Sequence, residues 1–100
     1  MPGLRHVVLF RWLPDTVPED VAAIDAALST LPGLIPELVD YRFGRDAGLA
    51  DGNWDFAVVA DVASVEDYAT YRDHPAHQAV IAEKIRPYVA ERAAVQHHLR

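Results

Sequence analysis

Residues 54–62, WDFAVVADV, alternate strictly. Trp54, Phe56, Val58, Ala60 and Val62 fall on one side, and Asp55, Ala57, Val59 and Asp61 on the other. A period of two is a β-strand. Residues 4–13, LRHVVLFRWL, follow the same rule: His6, Val8, Phe10 and Trp12 oppose Arg5, Val7, Leu9 and Arg11. In each strand the first set is the more apolar and is expected to be buried. Yet Val7, Leu9, Ala57 and Val59 lie on the second face. A sheet apolar on both faces needs two covers. The chain's own helices supply one, and a second copy of the chain is the commonest source of the other. His6 is then a polar side chain pointing inward.

The intervening segments read as helices and one further strand. Residues 16–31, TVPEDVAAIDAALSTL, carry an apolar stripe of Val21, Ile24, Leu28 and Leu31 at helical spacing. Thr16 and Glu19 fit a capping box, Pro18 suits the first turn, and Pro32-Gly33 is expected to end the helix. Residues 38–45 read as a strand with Val39, Tyr41 and Phe43 on one face, and residues 47–53, AGLADGN, as a turn-rich loop. Ser64 and Asp67 resemble the cap of a short helix carrying Val65, Tyr68, Ala69 and Tyr71. Pro75 biases His74 away from helical geometry, so that helix ends near Asp73 and a new one starts at Pro75. Val80, Ile81 and Ile85 form the buried side of the new helix, and Pro87 closes it. Residues 92–98, RAAVQHH, read as the last strand. The order predicts an α+β, ferredoxin-like βαββαβ protomer, with an antiparallel sheet and helices on one face. At 100 residues and 51% apolar content, residues 1–100 are expected to form one domain with a single modest core.

Charge narrows the partners. The net charge is −6 and Lys and Arg form no run, so phosphate neutralisation and hence nucleic-acid binding are not expected. An anionic membrane surface repels such a chain. The apolar N-terminal stretch is interrupted by Arg5, His6 and Arg11, so it reads as neither a signal peptide nor a membrane span. The expected location is the cytoplasm. There is no cysteine, so there is no disulfide framework and no thiolate metal site.

Two of the five histidines sit together in HPAH, residues 74–77. His74 is placed to cap the helix that Pro75 opens. H-x-x-H also suggests zinc, but Pro75 breaks the shared helix face, and a zinc site needs a third protein ligand. His97 and His98 point to opposite faces of a strand and do not chelate together. No glycine-rich phosphate loop is present. Neither a metal nor a cofactor is expected.

HVVLFRW, LPGLIPELVDYRFGRD, WDFAVVADV and YATYRDHPAHQAV occur in the order found in the stress-responsive dimeric α/β barrel (Dabb) family, and the chain resembles that family from His6 to about Val95. The resemblance implies a protomer whose sheet pairs with a second sheet to close a dimeric barrel, with a cavity between each sheet and its helices. It extends to the olivetolic acid cyclase kind of member, which closes a linear polyketide by aldol chemistry. The matching functional positions here are His6, Tyr71 and His77. Burial and the first turn of a helix both disfavour imidazolium, so His77 is expected to be neutral and to suit a general base. Tyr71 can donate to a carbonyl becoming an enolate, and His6 can hold a hydroxyl or orient the others. Phe10, Val80 and Ile81 are the expected apolar contacts of a ligand. Three functions follow: a homodimer that binds a small, mostly apolar or phenolic molecule; a cyclase or lyase acting through the His/Tyr set; or a structural dimer with filled cavities.

Overall fold

The computed structural model describes residues 3–100. Four strands, β1 (Leu4–Trp12), β2 (Leu38–Arg45), β3 (Phe56–Val62) and β4 (Val89–His98), form one sheet. All pairs are antiparallel, in the order β2-β3-β1-β4. This is the ferredoxin-like arrangement that the element order predicts. On β1, His6, Val8 and Phe10 oppose Ala60, Val58 and Phe56 of β3, and Gln96, Ala94 and Arg92 of β4. Residues directly opposite share a face, so these nine side chains all look toward the helices.

That face is covered by α1 (Pro18–Leu28), α2 (Leu31–Leu34), α3 (Val65–Asp73), α4 (Pro75–Val80) and a π-helical turn at Ile81–Ile85. The α1 stripe is buried as its spacing predicts: Val21, Ile24 and Leu28 pack with Leu31, Ile35 and Ile85 against Leu4, Val8 and Phe56 of the sheet. Full burial of such a side chain contributes about 1.5–3 kcal/mol, so this stripe is a main source of stability. The molecule is 18 Å deep along its shortest axis, which is one sheet and one helix layer.

The reverse face of the sheet has no cover from the described residues. Leu9 and Val95 are exposed there, beside half-buried Val7, Ala57 and Val59. The charges on this face are largely paired. Arg5 donates from Nε and Nη2 to the two carboxylate oxygens of Asp61, at 2.8 and 2.9 Å across the β1–β3 pair. Arg11 lies 4.6 Å over the Trp54 ring.

Five expectations are corrected. Thr16 and Glu19 make no capping box. Because Pro18 is the first helical residue, the cap falls on Val17, which is extended (φ −105°, ψ 163°), and the Asp20 carboxylate accepts from the Val17 N–H at 3.1 Å. The Thr16 hydroxyl is left buried without a partner among the described residues. Pro32-Gly33 does not end α1 but lies within α2; α1 stops earlier, where Ser29 and Thr30 donate their hydroxyls to the Ala26 and Ala27 carbonyls. Val39 is not on the buried face: β2 bulges between Leu38 and Asp40, so Leu38 joins Tyr41 and Phe43 inside, and Val39 is 71% exposed. β3 begins at Phe56 rather than Trp54; the Asp55 N–H still donates to the Phe10 carbonyl at 2.9 Å, and its carboxylate accepts the Trp12 N–H at 2.9 Å. β4 begins at Val89 rather than Arg92, the Pro87 break being followed at once by pairing with Trp12.

Candidate functional site

The cavity owes its shape to the Pro75 break. Ser64 caps α3 by accepting the Asp67 N–H at 3.1 Å, and α3 runs to Asp73. His74 is then extended (φ −60°, ψ 133°), and its Nδ1 accepts the Ala76 N–H at 3.0 Å, capping α4. This break turns α4 back so that the His77 ring lies 4.4 Å from the Tyr71 ring, centroid to centroid. Beyond α4 the helix widens: Arg86 donates to the Ile81 carbonyl five residues back, at 2.8 Å. Single π-turns of this kind recur at functional sites. Here Ile81 and Ile85 both reach the wall of a cavity of about 130 Å³. Val8, Phe10 and Leu28 complete its apolar wall, and His6, Tyr41, Tyr68, Tyr71 and His77 bring polar tips to it.

His6, Tyr71 and His77, from β1, α3 and α4, therefore meet in one place. His6 and Tyr71 are 5% and 2% exposed, with ring centroids 6.3 Å apart. Phe10 and Ile81 line the same cavity, whereas Val80 packs against the core without lining it. Both HPAH histidines are committed to backbone on Nδ1, His74 as a cap and His77 at 2.9 Å from the Arg72 carbonyl.

Hydrogen bonding sets the two tautomers. A carbonyl only accepts, so His77 Nδ1 carries the proton and Nε2 keeps a free lone pair. The Gln96 amide nitrogen only donates, and it lies 2.7 Å from His6 Nδ1, so the neutral His6 carries its proton on Nε2. The site thus holds one imidazole acceptor and one imidazole donor.

Electrostatics keep both rings neutral. Burial, then the positive charge of Arg92 and the neighbouring His77, lowers His6 to about 4. Burial also lowers His77, with Arg92 and His74 adding to it; the bond to the Arg72 carbonyl opposes this. Burial raises Tyr71 far above its ordinary range, with Tyr41 adding to it, so Tyr71 is a donor and not a base. Burial pushes Tyr41 up to about 12, the Tyr71 hydroxyl opposing in part. The Tyr41 hydroxyl is sealed from solvent against that of Tyr71.

A second, open depression of about 510 Å³ lies at one end of the sheet around Leu9, Asn53, Trp54 and Ala57. It is larger, but it brings together no histidine and no tyrosine, and it lies on the uncovered face. The chemistry gathers in the smaller cavity.

Residues 4–97 match the profile of the stress responsive A/B barrel domain, Dabb. The chain belongs to the Dabb family. An uncharacterized protein of Streptomyces coelicolor is 34% identical to it, over 79% of this chain and 84% of the other. A crystal structure from Thermobifida fusca, described as a dimeric ferredoxin-like protein of unknown function, is 50% identical, covers 98% of this chain and 92% of its own, and superposes with a TM-score of 0.92. The hydroxynitrile lyase of Passiflora edulis is 21% identical over 98% of this chain and 94% of its own, with a TM-score of 0.83, a likeness of fold alone. No helix of the described residues is long and apolar enough to cross a membrane.

Three site residues of this Dabb chain were not legible as such in the sequence. Gln96 and Arg92 reach the site only through the β1–β4 register, which sets them opposite His6 and Phe10. Tyr41 gets there because it shares the inward face of β2 with Phe43, beside Tyr71. Their one sequence signal is parity: Arg92, Ala94 and Gln96 share a strand face.

Proposed function

We propose that this Dabb protein is a homodimer that binds a small, mostly apolar molecule between its sheet and helices. The observation that carries this reading is the cavity itself, in which apolar walls from sheet and helices surround the rings of His6, Tyr71 and His77. A cavity of about 130 Å³ with apolar walls suits a single ring or a short chain. The uncovered sheet face and the dimeric Thermobifida fusca relative support the homodimer.

Thermal unfolding against a panel of single-ring phenols and short ketones tests the binding. A ligand at about 100 times its Kd stabilises the native state by about 2.7 kcal/mol. Filling the cavity with Val8→Phe should abolish that gain. A panel in which no compound raises the melting temperature leaves a structural dimer as the function.

One feature favours a second reading, an enzyme of the cyclase or lyase type. His77 Nε2 is a neutral base whose other nitrogen is anchored, beside the donors Tyr71 and His6. That set suits removal of a proton next to a carbonyl, with Tyr71 and His6 Nε2–H stabilising the enolate oxygen. A protein of this fold is described as a hydroxynitrile lyase, but the reading here rests on His77. Deuterium exchange into a bound ketone measures the step. His77→Gln should slow it by about 10²-fold or more, and the wild-type rate should rise with pH to a plateau, with its midpoint below the ordinary histidine value of about 6.5 because burial lowers His77. Exchange that ignores the substitution removes His77 from the mechanism.

A further inference from the structure

The cavity has an unusual charge balance. The chain carries 15 acidic and 9 basic residues, yet among the described residues no carboxylate lines the cavity. Its two cations are Arg72 and Arg92. Arg72 is already neutralised, donating to both carboxylate oxygens of Asp73 at 2.9 Å. Arg92 forms no ion pair among the described residues. It stands opposite Phe10 on the helix-facing side of the sheet. There it borders both the cavity and an adjoining groove of about 230 Å³. The groove shares Phe10, Ile81 and Ile85 with the cavity, adds Arg86 and Val89, and likewise contains no carboxylate. The passage therefore runs from an apolar interior bearing neutral donors to a mouth with two arginines. The charge of Arg92 is felt inside, where it helps to hold His6 and His77 neutral.

We propose that the ligand is an amphipathic carboxylate, with a ring-sized apolar part against Phe10 and Tyr71 and its carboxylate on the Arg92 guanidinium at the mouth. This deepens the cavity-binding reading above and rests on it. A guanidinium offers a planar fork that matches a carboxylate with two parallel hydrogen bonds, and it stays charged at every working pH. An apolar interior alone holds an uncharged ring as well as a charged one. The unpaired cation at its edge selects the acid, and the absence of nearby carboxylates leaves that selection unopposed. Arg86 extends the positive field along the groove, so a longer acid is accommodated there.

Calorimetric titration with phenylpropionate and with its uncharged amide tests this. The wild-type protein should bind the acid at least about tenfold more tightly, as a charge-assisted contact implies, with the preference shrinking as salt is added. Arg92→Gln should erase the preference, weakening the acid far more than the amide; Arg92→Lys should keep part of it. Arg92 is exposed, so both variants should fold, which their melting temperatures without ligand will verify. Equal binding of acid and amide by the wild type, or a preference that survives Arg92→Gln, overturns the carboxylate proposal and leaves the cavity-binding reading standing. Binding of neither probe counts against both.

Discussion

His6 carries the clearest consequence of burial. Its proton is taken up at about 4 in the folded protein, against about 6.5 when unfolded. The unfolded chain therefore binds more protons between those values, and stability must fall as the pH drops through that window. The His6 contribution is complete above about pH 6.5 and amounts to at most about 3 kcal/mol. His77, also lowered, acts in the same direction. Urea midpoints measured from pH 7 to pH 4 should fall steeply for the wild type and less steeply for His6→Gln. Equal slopes would mean that His6 is not the group being charged. Gln96→Leu takes away the donor to His6 Nδ1 and frees its tautomer. It should shift the His6 NMR signals while leaving those of His74 in place.

Single side chains also decide where the helices break. The α3–α4 junction depends on one imidazole accepting one N–H, that of Ala76. His74→Ala should cost about 1 kcal/mol by denaturant unfolding, and His74→Asp should recover most of it, because the acceptor and not the ring is what the cap requires. An equal loss in both variants would point to packing of the ring instead. In β2 the bulge makes Val39 dispensable. Val39→Ser should change stability by no more than about 0.5 kcal/mol, although strand alternation alone assigns it to the core.

At the scale of the molecule, the unresolved demand is the second sheet face. Exposed Leu9 and Val95, beside Val7, Ala57 and Val59, form an apolar surface framed by the Arg5–Asp61 pair and by Arg11 over Trp54. Two such faces can cover each other around a two-fold axis. Light scattering should report a dimer at micromolar concentration. Leu9→Lys combined with Val95→Lys should give the monomer mass, because two pairs of like charges then face an apolar surface. A double variant that stays dimeric would place the interface elsewhere.

Local rules determined much of this protein in advance. Alternation in residues 4–13 and 54–62 announced the two central strands and their two apolar faces. The stripe of Val21, Ile24, Leu28 and Leu31 announced the covering helix, and Pro75 announced the break at His74. These are near-neighbour effects, written in side-chain period and backbone sterics, so one stretch of chain contains all the information needed. The HPAH motif and inward-pointing His6 were visible too, and the family resemblance joined them to Tyr71. What only the tertiary structure decided is the pairing across distance. The β1–β4 register, 90 positions apart in the chain, set Gln96 on His6 and chose its tautomer. It also set Arg92, which forms no ion pair among the described residues, at the mouth of the cavity. The β2 bulge put Leu38 inside and Val39 outside, and a widened helical turn brought Ile81 and Ile85 to one wall. Register and bulges follow from how whole strands fit one another over a common core, and no local stretch of sequence carries that sum.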